Sequence, residues 1–391
     1  MAAMATGSRP ATDAFLAEEQ RRLRALVREF AEGEIAPVAG ELDREARFPY
    51  EIVAKLGELG LMGMTLPEEH GGAGLDALSY VLAVEELARV DSSVAITVAA
   101  HTSLGCAPIA MFGDEEQKRR WLPDLASGRR LAAFGLTEPE AGSDAGATRT
   151  RAVPEDGGGF VVDGQKMFIT NAGTDITACC TITALTAPGE ITNLIVPADA
   201  PGYRPGPPLR KIGWHASDTR PVYLEGVRLD ASAQLGPRGA GLRQFLAVLD
   251  GGRLSVGAMG LGLAQGAFEL ALAHVRTRRQ FGRAIVGFQS VQFQLAEMAT
   301  EIESARALLY SAARLKDAGL PYGTMAAMAK LATGRLAQTV AERSLHLHGG
   351  YGWMEESPIA RLYRDAKVLD IGEGTVEVQK MVIARGIGAR E

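Results

Sequence analysis

Three apolar stripes in the last third of the chain restrict its fold more than any other feature. Leu254, Ala258, Leu261, Ala264, Phe268, Leu272 and Val275 make the first. Phe288, Val291, Leu295, Met298, Ile302, Ala305, Leu309 and Ala312 make the second. Met325, Met328, Ala332, Leu336 and Val340 make the third. Steps of three and four residues put each set on one helix face. Helices with stripes this long hide them by packing on one another, usually as an antiparallel bundle. The methionines suit irregular gaps in such a core. A final helix is expected from just past Glu373 to near Gly386. Residues 241–391 therefore read as a four-helix bundle.

The start of the chain is helical as well, from Thr12 to about Arg130. Leu16, Leu23, Leu26, Val27 and Phe30 keep the helical period, and Pro37 follows the end. Further helices fit Pro49 to Leu59, Leu75 to Arg89 and Ser92 to about Met111, and Asp114 with Gln117 forms a capping box for another. From Ala132 to about Leu235 the texture changes. Glycine, proline and threonine there punctuate short β-branched runs such as Phe160-Val-Val-Asp-Gly and Ile176-Thr-Ala-Cys-Cys-Thr-Ile-Thr. No helical stretch separates these runs, so an antiparallel sheet or barrel is expected. The fold class is α+β: a helical domain at residues 1–130, an antiparallel sheet or β-barrel domain at 131–240, and the bundle.

Charge and composition close off several functions. A net charge of -6, with no long block of one sign, argues against a nucleic-acid surface. No apolar run looks long enough to span a bilayer. Met1 to Ala14 lacks the charged-then-apolar order of a signal peptide. Cys106, Cys179 and Cys180 include an adjacent pair unsuited to an ordinary bridge, which suggests a reduced, cytoplasmic setting. His346 and His348 have no nearby Cys or carboxylate to complete a zinc-like set, so no metal site is expected.

Four loops and one turn carry polar residues that packing does not require. Phe134-Gly-Leu-Thr-Glu-Pro-Glu-Ala-Gly-Ser-Asp144 sits at a domain junction, a favoured place for a small-molecule site, although a capped linker has similar residues. In Lys166-Met-Phe-Ile-Thr-Asn-Ala-Gly173, Phe168 and Thr170 are two apart and would share a strand face. Arg276-Thr-Arg-Arg-Gln-Phe-Gly-Arg283 could grip a pyrophosphate, or be an exposed basic helix end. Leu345-His-Leu-His-Gly-Gly-Tyr-Gly352 could lay backbone amides on phosphate, but it is neither a Rossmann fingerprint nor a P-loop. Finally, Glu373 stands between Gly372 and Gly374, where a flat ligand could approach the backbone. Its plainer reading is a solvated turn.

Taken in order, these stretches resemble the acyl-CoA dehydrogenase family of flavoproteins, from about Phe15 to Arg385. The resemblance rests on Leu136-Thr-Glu-Pro-Glu-Ala-Gly-Ser-Asp144, Lys166-Met-Phe-Ile-Thr-Asn171, Gly213-Trp-His-Ala-Ser-Asp-Thr-Arg220, Arg278-Arg-Gln-Phe-Gly282, His348-Gly-Gly-Tyr-Gly352, and Arg364-Asp-Ala-Lys367 with Glu373-Gly-Thr375. It implies FAD as cofactor, a short-, medium- or branched-chain acyl-CoA as substrate, and a homotetramer built as a dimer of dimers. Leu136, Thr137 and Ser143 would then lie at the flavin ring and the thioester-bearing chain. Phe168 would pack on the ring and Thr170 would bond near flavin N5. Arg278, Phe281 and Gln289 would hold the ADP half of FAD bound to a neighbouring subunit. The backbone of His346, Gly349 and Gly350 would meet that cofactor's pyrophosphate, and Thr375 and Glu377 would contact FAD. Ser143, Asp250, Arg253 and Gly374 would stand on the substrate side.

The resemblance makes Glu373 the base that takes the α proton while the β hydride leaves to flavin N5. Electrons would then pass to an electron-transfer flavoprotein. A free glutamate has a pKa of about 4.3, and burial beside an acyl chain would raise it toward neutrality. In the family the developing enolate is met by the N–H of the base residue and a ribityl hydroxyl. Some members carry the base on the helix bearing Arg253, but the matching position here is Gly252. Gly372 replaces a common tyrosine, Phe168 a common tryptophan, and His346 a common glutamine. Two other readings share the pattern: an oxidase or monooxygenase of the same fold, and an inactive subunit that binds acyl-CoA or FAD.

Overall fold

The computed structural model describes residues 14–389. The expected helix start at Thr12 lies outside them. α1 (Glu18–Phe30) has Glu18 and Glu19 in its first turn, where carboxylates suit the positive end of the helix dipole. It runs on through a π-helical turn at Ala31–Ile35, followed by α2 (Ala39–Glu45) and α3 (Tyr50–Glu58). Asp76 caps α4 (Ala77–Val90), accepting from Ser79 N at 2.6 Å.

The helix expected over Ser92 to Met111 forms in three pieces: α5 (Ser92–Ala99), a π-helical stretch Ala100–Cys106, and α6 (Ala107–Phe112). The widened turns lie where two local strains meet. Ser103 Oγ bonds back to Ala99 O at 2.7 Å, and any side chain at Gly105 would collide with Ala132 O. α7 (Glu115–Ala126) opens on the expected capping box. Gln117 N donates to Asp114 Oδ1 at 2.8 Å, and Asp114 N to Gln117 Oε1 at 3.1 Å.

The middle of the chain is a sheet. Its strands are β1 (Leu131–Gly135), β2 (Arg151–Pro154), β3 (Phe160–Thr170), β4 (Thr177–Ala187), β5 (Glu190–Pro197), β6 (Tyr203–Pro205), β7 (Thr219–Leu229) and β8 (Gln234–Leu235). Their order is β6-β7-β3-β2-β4-β5-β8, with β1 beside β4. Most pairings are antiparallel as expected, but β4 runs parallel to both β1 and β2. Both partners reach β4 by long connections rather than a hairpin, as parallel pairing requires. The end strands β6 and β8 are not paired with each other, so the ladder is an open path.

The stripes then appear as α8 (Gly241–Thr277), α9 (Gln289–Asp317) and α10 (Gly323–His348). A small hairpin, β9 (Arg279–Gln280) with β10 (Arg283–Ala284), joins α8 to α9. α11 (Pro358–Ala366) and α12 (Val376–Gly386) complete the chain. The third stripe is rotated from its expected face in its first half, whereas Leu336 and Val340 are buried as expected. Met325, Met328 and Ala332 are only half-buried, whereas Ala326, Ala329, Thr333 and Ala337 face inward. Close approach explains this. A Cβ at Gly260 on α8 would lie 2.8 Å from Thr333 O, so only small residues fit between the helices.

Helices from both ends of the chain share one apolar core. Val81, Leu87 and Val98 are buried in the same cluster as Leu261, Leu309 and Val340, while the sheet keeps its own core around Val162, Ile182 and Val222. The expectation that no run could span a bilayer needs correction. Ser92–Phe112 and Gly241–Thr277 are long and apolar enough by length and composition. Most of each is buried inside the protein, so their apolarity is that of core helices.

Candidate active site

Glu373 lies in the turn between α11 and α12. A short 3-10 helix at Lys367–Asp370 ends with Ile371 N and Gly372 N both donating to Val368 O, at 2.9 and 2.8 Å. The chain then turns left-handed at two successive residues, Glu373 (φ +51°) and Gly374 (φ +96°). A non-glycine residue held there costs about 1–3 kcal/mol and marks a site where function sets the backbone. Thr375 ends the turn by capping α12, its Oγ1 accepting from Val378 N at 3.3 Å. Among the described residues the Glu373 N–H has no partner.

The strain aims the Glu373 side chain inward. Both carboxylate oxygens are buried, and among the described residues neither has a hydrogen-bond partner. They fill the space over Gly252 of α8. A Cβ at 252 would collide with Glu373 Oε2 and lie 3.0 Å from Leu104 Cδ2. Gly252, by lacking a side chain, makes room for this carboxylate. Burial pushes the Glu373 carboxyl up to about 8, against the opposing pull of Lys330 and Arg253. Arg253 is buried and ion-paired with Asp250, three residues earlier on the same helical turn. Burial raises Asp250 and drives the nearby Tyr322 hydroxyl up to about 12.

A second set of residues builds a wall. Leu136 is buried behind β1, Thr137 is half-buried and Ser143 exposed. Met167 N donates to Thr137 O at 2.8 Å, which pins this loop to β3. Behind it, buried Lys166 donates to Glu138 Oε1 at 2.7 Å and Thr183 O at 2.8 Å, while Glu138 also accepts from Arg149 N and Thr150 N. Lys166 and Glu138, both inside the quoted motif stretches, are therefore internal ties. The simple strand alternation proposed for Phe168 and Thr170 is also corrected. Register shifts between Lys166 and Ile169, Phe168 adopts φ +62°, and its ring stands 64% exposed while Thr170 is half-buried. A bulge has turned the ring outward.

The stretch from Gly213 to Arg220 ties the sheet to α11. Trp214 N donates to Asp365 Oδ1 at 2.7 Å, and Gly213 approaches the Arg364 carbonyl too closely for any side chain. Burial pushes Asp365 up to about 8.

The remaining expected site residues lie toward the surface. Arg278 lies over the Tyr351 ring at 5.5 Å, which brings the β9–β10 hairpin to the turn at Gly349–Tyr351. Phe281 is at the hairpin tip, with φ +50° and 92% exposure. Gln289, His346, Gly349, Gly350 and Glu377 are exposed. Cβ atoms at Gly349 and Gly350 would meet nothing within 4 Å. His348 stacks on His274 at 4.4 Å.

Two residues at the turn were not anticipated. Lys330 Nζ donates to Gly374 O at 2.7 Å. Gln379 Nε2 donates to Gly374 O at 3.0 Å and Glu373 O at 3.2 Å. A lone lysine among Ala326, Ala327 and Ala329 was the available signal.

Known proteins share this sequence pattern and fold. Three family descriptions match consecutive parts of the chain: acyl-CoA dehydrogenase N-terminal domain at 17–129, middle domain at 133–227 and C-terminal domain at 239–388. The short-chain specific acyl-CoA dehydrogenase of Clostridium acetobutylicum is 44% identical over 371 residues, 94% of this chain and 98% of that protein. The structure of butyryl-CoA dehydrogenase from Megasphaera elsdenii superposes with a TM-score of 0.92 at 40% identity, covering 95% of this chain and 98% of that one. A chain in the structure of the electron transferring flavoprotein of Acidaminococcus fermentans reaches 0.93 at 41% identity, covering 96% and 99%. The chain belongs to the acyl-CoA dehydrogenase family.

Proposed function

We propose that the protein removes hydrogens from the α and β carbons of an acyl-CoA thioester, with Glu373 as the base. One observation carries this reading: a buried carboxylate without a partner, aimed by a strained turn into the space over Gly252. Such a group costs stability and has no structural task. Its raised pKa brings a strong base within reach of working pH. The free Glu373 N–H is a donor suited to the thioester oxygen, where negative charge develops as the α proton leaves.

The residues present fit FAD. Phe168 offers an exposed aromatic face on a bulged strand, beside the pinned loop of Leu136 and Thr137, with the Thr170 hydroxyl two residues on. FAD, when bound there, supplies the acceptor for the β hydride. Phe281 is an apolar side chain standing in the open on a hairpin tip, and Arg278 of the same hairpin lies over Tyr351, next to the unobstructed Gly349 and Gly350. We read Arg278, Phe281, Gln289 and His346 as gripping the ADP half of a neighbouring subunit's cofactor, in a homotetramer. Ser143, Asp250, Arg253 and Gly374 stand on the substrate side, and Thr375 and Glu377 on the cofactor side. Electrons would leave to an electron-transfer flavoprotein, and three free, buried cysteines suit the cytoplasm.

The test is an anaerobic panel of straight, branched and aromatic acyl-CoAs, scored by bleaching of the yellow protein. Short straight chains should bleach it fastest, as the names of the Clostridium and Megasphaera relatives suggest. A yellow protein that no acyl-CoA bleaches would end this reading. Peroxide formed in step with turnover in air would replace it with an oxidase.

A further inference from the structure

Lys330 occupies a place where a lysine is costly. It lies on the inward face of α10 among Ala326, Ala329 and Thr333, and only 1% of it is exposed. An ammonium in such a place persists only where it meets polar or charged groups. Its hydrogen bond runs to Gly374 O at 2.7 Å, on the residue after Glu373. The same oxygen accepts from Gln379 of α12, which also holds Glu373 O. Two helices thus grip the two carbonyls of the left-handed turn, and a strained turn keeps its shape only when its surroundings over-determine it.

From this geometry we propose that Lys330 is the positioning residue of the Glu373 base, fixing the turn through Gly374 O and setting a positive charge against the carboxylate. The proposal rests on the reading of Glu373 as the base.

The charges around the turn single out Lys330. From α8, Arg253 faces Glu373, but Asp250 already answers it. From α4, the buried Tyr80 hydroxyl faces it as a neutral group, its own pKa held high by burial. From the 3-10 turn, Asp370 faces Lys330, but Lys367 lies 3.8 Å from Asp370. Among the described residues, Lys330 from α10 is the cation left to act on Glu373. Burial pulls its ammonium down to about 8, opposed first by Glu373. A cation favours the charged form of a neighbouring acid, so its removal must raise the Glu373 pKa further.

The experiment follows the protonated-carboxyl infrared band of the holoenzyme that Glu373→Gln abolishes. In the parent its midpoint should lie near 8. Lys330→Met, which keeps the apolar stem, should move it up by at least about one pH unit, and Lys330→Arg should leave it within about half a unit. With acyl-CoA, kcat of Lys330→Met should fall about tenfold or more, its acid limb moving with the band. Thermal melting reports folding. Should Lys330→Met not fold, Lys330→Gln keeps a donor without the charge and must show the same upward shift. A band that stays within half a unit of the parent in the uncharged variant overturns the proposal, whatever the rate does. A parent that turns over no acyl-CoA would remove the functional reading but leave the infrared test intact.

Discussion

Two buried glutamates show how the same side chain is used in opposite ways. Glu86 sits on α4 in the shared helical core and is fully buried. Arg24 Nε reaches it at 2.6 Å, and Arg28 Nε and Arg89 Nε each at 2.9 Å. Burial pushes its pKa up, but Arg24, Arg28 and Arg89 together pull harder and leave it at about 2. Glu373 has burial without such partners and rises to about 8. Glu86 is a permanent charge that ties α1 to α4. Glu373 is a charge deferred, neutral or ionised according to pH. Burial alone does not mark a functional carboxylate; burial without partners on a strained turn does.

The sharpest way to break this comparison is to neutralise each acid. Glu373→Gln should keep its FAD and lose flavin reduction by roughly 10³-fold or more, measured by anaerobic stopped-flow bleaching. Retained reduction would mean that the proton goes elsewhere. Glu86→Gln should leave the chemistry of folded protein intact and destabilise it by about 3–5 kcal/mol, because three arginines lose their common partner. Denaturant unfolding checks this. If the two variants exchanged phenotypes, the contrast would be reversed.

Gly252→Ala sharpens the Glu373 side of the comparison. The new methyl would occupy the place of Glu373 Oε2, so the carboxylate must move by a fraction of an ångström or more. Misplacement of this size costs roughly 10²-fold in rate, with FAD content unchanged. An unaffected rate would show that the carboxylate does not work from over Gly252.

The comparison was only partly legible in the sequence. The second stripe, Leu295 to Ala312, is local and regular, and its inner residues are buried as expected. The first half of the third was misread because its face is chosen by α8, whose Gly260 admits only small neighbours. Glu373 between two glycines announced a special backbone, and its left-handed φ agrees. What the pattern could not announce was the burial of its carboxylate. That depends on Gly252, more than a hundred residues earlier, and on Leu104 from the π-helical stretch. Lys330 and Glu86 escaped notice for the same reason. Each is a charge set among apolar neighbours on its helix, and only the partners across the core tell a clamp from a solvated face.

The smallest expected effect separates the two acids by pH. For Glu86 the native pKa is depressed, so its contribution is full above the unfolded value of 4.5 and is lost as pH falls toward 2. For Glu373 the native pKa is raised, so the folded state binds the proton more tightly. The sign is then reversed. Stability falls as pH rises from about 4.5 through 8, because ionising the buried acid opposes folding. Glu373→Gln removes that cost. At pH 9 it should melt above the parent by a few degrees, on the order of 1–2 kcal/mol after allowance for water reaching the partly exposed turn. Below pH 4.5 the two should melt together, since the parent's acid is then neutral in both states. A gap that persists at pH 4 would come from packing instead, and the carboxylate would not be the unpartnered charge that sets Glu373 apart from Glu86.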